Sequence, residues 1–235
     1  MGAPAETAPS DDFGLARARV LAAVADACER AGRDPAGVTL VAVSKTVTVE
    51  RLRRAVAAGL TLLGENRVQE AEAKAALLPG VRWHLVGPLQ SNKARRAVEL
   101  FDVVESVDSL DLARRLDRMA GETGRSPLGI YLQVNVDRDR AKAGFEPAVL
   151  EADLAALGDL PNLELRGLMT VGRLVDTPEA ARPTFARLRE LSTGLRARFG
   201  GLGDGLSMGM SADYAVAVEE GATLIRVGRA LFGER

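Results

Sequence analysis

At 235 residues, 47% of them hydrophobic, the chain can build one large core, and its formal net charge of −1 leaves no basic stripe for nucleic acid. A single cysteine, Cys28, excludes an internal disulfide, and with a single histidine it also excludes an ordinary metal site. No apolar run is long enough to cross a bilayer, and Met1 to Asp12 lacks the basic and apolar parts of a secretory signal, so a cytoplasmic protein without membrane partners is expected; no obvious exposed apolar helix face calls for a partner, so a monomer is expected.

Residues 1–10, rich in Ala, Pro, Glu and Ser, read as a disordered tail, which leaves 11–235 as one domain. Asp11 or Asp12 then caps a helix carrying Leu15, Val20, Leu21, Val24 and Cys28, and Gly32 stops it. Beyond it, apolar runs at 38–44, 61–64, 82–86, 102–105, 128–136, 163–169, 206–208 and 223–227 read as strands. Helical patterns separate them, for example Val49, Leu52, Ala55, Val56, or Leu110, Leu112, Leu116, Met119. Thr48, Asp108 and Ser211 are their candidate caps. Eight such alternations predict an α/β fold, a single (β/α)8 TIM barrel with an extra N-terminal helix; an open doubly wound sheet is the alternative. The strands are continuously apolar, as strands covered on both faces are.

Lys45 ends the first of these runs. Alternation puts it on the face of Val41 and Val43, so it lies at the barrel mouth if that face is the interior. A partly desolvated amine there would be a carbonyl-trapping nucleophile; a solvated lysine closing a strand is the plainer reading. Asn66, after the second strand, offers either an amide to a ligand or an N-cap. His84 stands inside the third strand, where a satisfied core histidine is the commoner outcome.

Near the far end, Ser207-Met208-Gly209-Met210-Ser211 and Arg226-Val227-Gly228-Arg229 follow the last two strands, where barrels of this kind usually hold phosphate. Ser211 is read as opening a helix whose dipole attracts an anion, and Gly228 lets backbone approach one. Arg226 shares a face with Leu224 and Gly228 and is therefore predicted to be a buried charge that needs a partner. A carbonyl-trapping lysine and a phosphate cradle together suggest pyridoxal 5′-phosphate (PLP). Gly201-Leu202-Gly203-Asp204-Gly205 precedes a strand, so it reads as a turn and not as a dinucleotide fingerprint. The carboxylates Glu219 and Glu220 show no sign of shared burial.

In order along the chain, Ala42-Val43-Ser44-Lys45-Thr46, Gly64-Glu65-Asn66 with Val68-Gln69-Glu70, and His84-Leu85-Val86-Gly87 with Leu89-Gln90 and Asn92-Lys93 form a recurring set of motifs. Val134-Asn135 with Lys142 and Gly144, Gly167-Leu168-Met169-Thr170, and the two glycine segments ending in Phe232-Gly233 continue it. Together they resemble the pyridoxal phosphate homeostasis protein family, whose barrel is related to the N-terminal domain of alanine racemase. The resemblance implies PLP held as a Schiff base on Lys45, Arg226 near its pyridine nitrogen, and Asn66 and His84 lining the pocket. The phosphate would be held around Ser211 and Gly228, and Met210 and Arg229 are further cofactor-binding candidates. Two positions depart from the family pattern: Arg229 replaces a usual Ser or Thr, and Arg67 a frequent Tyr. The implied function is a PLP carrier that supplies apo-forms of PLP enzymes. A PLP-dependent amino-acid racemase is the alternative, although Tyr131 and Tyr214 are the only tyrosines to serve its second face. A Schiff-base aldolase without PLP is a third possibility.

Overall fold

Asp12 opens the described part of the chain as the cap of α1 (Phe13–Arg30), its side chain accepting the Leu15 amide at 2.8 Å. The computed structural model describes residues 12–173 and 175–233, so the predicted tail and the Asp11 cap lie outside the described residues. Val20, Val24, Ala27 and Cys28 form the buried stripe of this helix.

Eight strands follow: β1 (Thr39–Val43), β2 (Leu62–Glu65), β3 (Arg82–Leu85), β4 (Val103–Val107), β5 (Leu128–Gln133), β6 (Leu163–Met169), β7 (Gly205–Ser207) and β8 (Leu224–Val227). Between and after them run α2 (Val49–Ala57), α3 (Val68–Ala75), α4 (Ala94–Leu100), α5 (Leu110–Thr123), α6 (Pro147–Gly158), α7 (Arg182–Arg198), α8 (Tyr214–Glu219) and α9 (Arg229–Phe232). Each strand pairs in parallel with the next, and β8 returns to β1 with Val41 opposite Arg226. The result is a closed barrel, not an open sheet.

Alternation along the strands divides the core in two. Val41, Leu62, Val103, Tyr131, Met169 and Leu224 pack together inside the barrel. Ala42, Leu63, Leu85, Ile130, Leu168 and Ile225 point outward against helix residues such as Leu52, Leu116, Leu150 and Leu188. Each fully buried Leu or Ile contributes about 1.5–3 kcal/mol. This double coverage explains why the strands show no period-two polarity in the sequence.

Local hydrogen bonds move several boundaries. β5 stops at Gln133 instead of 136, because the Asn135 side chain turns the loop, donating to Asp139 O at 2.8 Å and accepting the Asp139 amide at 3.0 Å. β4 runs on to Val107, where the buried Ser106 hydroxyl donates to Gly87 O at 2.6 Å. Thr48 caps α2 as expected, but Ser109, not Asp108, caps α5. Glu220 is buried, contrary to the sequence reading. Arg182 bonds Glu220 at 2.8 Å and Glu219 at 2.6 Å, while Arg30 reaches Glu219 at 2.7 Å. These arginines hold Glu219 below the usual carboxylate range.

The first and last described helices meet near the β1–β8 seam. α1 lies against α8 and α9, with the Phe13 and Phe232 rings 5.7 Å apart. Arg33 donates to Ala222 O at 2.9 Å and also to Val218 O.

Candidate functional site

Because all eight strands run the same way, their C-terminal ends form a single rim. Lys45 stands on that rim just past β1, on the inward-facing register of the buried Val41. Its side chain is exposed, so the partial desolvation expected from the sequence is not found. The chain has four lysines, and the other three are buried or half-buried. Lys74 is paired with Glu65, and Lys142 donates to Val171 O at 3.1 Å and to Gly172 O. Lys45 is the one lysine that is exposed.

One strand over, Arg226 lies inside the barrel with 4% of its surface exposed. Its partner is Glu105 of β4, which the sequence reading did not single out. The Arg226 guanidinium donates to the Ser207 hydroxyl and, at 2.7 Å, to Thr170 O. Ser207 in turn donates to Glu105 Oε2 at 2.6 Å, and Glu105 Oε2 stands 3.9 Å from Arg226 Nη1. The other oxygen, Oε1, meets His84 Nδ1 at 2.6 Å. His84 is therefore a satisfied, buried residue in the same network as the arginine. Burial lowers the Arg226 guanidinium from the usual arginine range, and the charges of Glu105 and Asp213 oppose that shift.

Ser211 does not open a helix. α8 begins at Tyr214, and the Ser211 hydroxyl instead accepts the amides of Gly228 at 3.1 Å and Ala230 at 3.3 Å. It thus ties the β7 loop to the turn after β8 and leaves its own proton for an outside acceptor. Gly209 makes this turn possible: its φ is +90°, and a Cβ there would lie 2.6 Å from Ala217 Cβ. Met210, half-buried, gives its amide to Asp213 Oδ1 at 2.6 Å. Burial pushes the Asp213 carboxyl up, against that hydrogen bond. Arg229 is exposed at the first position of α9.

Asn66, half-buried, follows β2. Its backbone packs so closely on Gly87 that an added Cβ at Gly87 would lie 2.5 Å from Asn66 O. Arg67 is exposed, with Glu70 at 4.0 Å. The barrel end thus gathers an open amine, a buried guanidinium, and a hydroxyl held by two amides. That donor set fits an aldehyde on a ring that also carries an acceptor nitrogen and an anionic arm.

The first strand's lysine and the last strand's arginine mark a class of barrel, and comparison with known proteins identifies it. The family model described as alanine racemase, N-terminal domain, matches residues 20–235. Alanine racemase of Clostridium difficile 630, 13% identical, shares the fold at a TM-score of 0.71, covering 96% of this chain and 57% of its own. The pyridoxal phosphate homeostasis protein of Pseudomonas aeruginosa is 48% identical over 220 residues, 93% of this chain and 94% of that protein. The structure of PipY from Synechococcus elongatus with PLP bound is 46% identical, with a TM-score of 0.84 over 94% of this chain and 100% of its own. The chain belongs to the pyridoxal phosphate homeostasis protein family.

Proposed function

We propose that the protein binds PLP at the barrel mouth, holds it as a Schiff base on Lys45, and hands it on to apo-forms of PLP enzymes. The observation that carries this reading is that Lys45 is the one exposed lysine and stands on the rim beside the strand of the buried Arg226. An exposed amine is reached by an aldehyde without any opening of the core. The nitrogen–carbon bond forms as the carbonyl oxygen leaves as water, and hydrolysis returns both partners. Reversibility of that kind suits a carrier.

Arg226 faces the mouth from below with its charge fixed by Glu105, Ser207 and Thr170. A ring nitrogen placed against a guanidinium stays unprotonated, which weakens the ring as an electron sink. That favours storage over carbanion chemistry. Tyr131 is buried in the barrel interior, and Tyr214 begins α8 with its backbone against Gly209 of the β7 loop. Ser211, the Gly228 turn and Arg229 would hold the phosphate arm, and Met210, Asn66 and His84 would complete the surroundings.

Absorbance tests the reading. Adding PLP to the purified protein is expected to give a visible band that borohydride fixes on Lys45. Lys45→Ala is expected to fold normally and show none. Incubation with the apo-form of a PLP enzyme is expected to bleach the band and restore that enzyme's activity. A chain that stays colourless, or that is labelled elsewhere than Lys45, overturns it.

A further inference from the structure

Behind β1 and β2, on the helix side of the barrel wall, three polar residues occupy positions that should be apolar. Ser44 and Glu65 are 0% exposed, and Lys74, on the inner face of α3, is 8% exposed. Lys74 Nζ donates to Glu65 Oε1 at 2.7 Å and to the Ser44 backbone carbonyl at 2.9 Å. The Ser44 hydroxyl also donates to Glu65 Oε1 at 2.7 Å, while Oε2 is buried without a partner. A buried ion pair with one oxygen unsatisfied is a poor source of stability, because desolvation offsets the attraction. Its location suggests a different use.

The carbonyl that Lys74 holds belongs to the peptide joining Ser44 to Lys45. Ser44 N makes the last ladder bond of β1, to Gly64 O at 2.9 Å. Beyond it the chain leaves the sheet, and Thr46 adopts φ +63°, a left-handed conformation uncommon for threonine. Lys45 thus stands between a finished strand and a strained turn. Lys74 and Glu65 fix the peptide plane on the strand side of that junction. With Ser44 locked outward, alternation aims the next side chain into the mouth.

We propose that Glu65 and Lys74 are positioning residues for Lys45, clamping the Ser44–Lys45 peptide so that the amine is presented to its aldehyde. This rests on the reading that Lys45 traps PLP; neither residue exchanges an atom or a proton in the step. The test follows the rate of visible-band growth on adding PLP, the borohydride-fixed label located by mass spectrometry, and thermal melting. Glu65→Leu with Lys74→Met replaces the pair by apolar side chains, an exchange often neutral for stability. This double variant is expected to capture PLP about tenfold more slowly than the parent, one decade being the smallest loss the clamp requires. Lys74→Arg, which keeps a cation and donors beside Glu65, is expected to restore the rate to within about threefold. If the double variant melts early, Leu85→Ala, a cavity in the neighbouring β3, is the control of matched destabilisation. Slower capture than this control, where both are folded, supports the clamp; equal slowing, or parental capture by the double variant, overturns it. A parent chain unlabelled at Lys45 overturns the underlying reading as well, so the two failures are distinguishable.

Discussion

The cluster inside the barrel and the cluster behind its wall each bury one carboxylate, but they complete it differently. Inside, Glu105 uses both oxygens, one toward His84 and one toward Ser207, with Arg226 at 3.9 Å. Behind the wall, Glu65 concentrates Lys74 and Ser44 on a single oxygen. The inner network draws on β3, β4, β7 and β8, so it ties distant parts of the barrel together. The outer one joins β1, β2 and α3, which are neighbours in the chain, and can be exchanged as a pair. Under the clamp proposed above, the two buried carboxylates have different uses: one holds the fold and the other aims one residue.

The largest expected effect breaks the inner cluster. Glu105→Leu leaves the Arg226 charge and the His84 ring without their buried partner and is expected to lose about 3–5 kcal/mol, read from urea unfolding. A loss under about 1 kcal/mol would show that Ser207 and Thr170 suffice for Arg226.

A third cluster, only partly exposed, sets the scale for both. Arg182 bonds Glu219 and Glu220 with its side chain 32% exposed. Arg182→Ala is expected to lose about 1–2 kcal/mol, and less in high salt, because solvent screens a partly exposed network. A loss independent of salt would place it with the buried clusters.

The smallest effect is a pH signature of the inner cluster. Burial, and then the charge of Glu105, push the Tyr131 phenol up to about 12. The unfolded phenol ionises near 10, so the stability it contributes is present below that pH and is lost as pH rises toward 12. At pH 11 the parent is expected to trail Tyr131→Phe by about 1 kcal/mol relative to their difference at pH 8, measured by thermal melting. In a Glu105→Leu background that gap is expected to narrow.

Much of the fold is legible because two-sided burial leaves uninterrupted apolar runs, and a cation that ends or interrupts such a run, as Lys45 and Arg226 do, stands out. Glu105 interrupts Val103-Val104-Glu105-Ser106-Val107 in the same way and offered the same signal. Its partners sit on other strands, so the pairing is set by barrel closure and not by local spacing. Lys74 lies three residues after Ala71 and therefore on the buried face of α3, a spacing visible in the sequence but masked by the charged residues around it. Ser211 looked like a cap because serine is a preferred N-cap residue; the amides it holds belong to the turn after β8 and become adjacent only once the ring is closed.

That ring closes through its oldest and youngest strands, β1 and β8. A chain emerging from the ribosome therefore displays Lys45 well before it supplies Arg226 and the Gly228 turn. Until then the first strand keeps a bare edge, and an aldehyde meeting the nascent lysine finds neither a floor nor an anchor. On the proposed reading, retention of the aldehyde depends on β8, and a chain cut before that strand is expected to lose it.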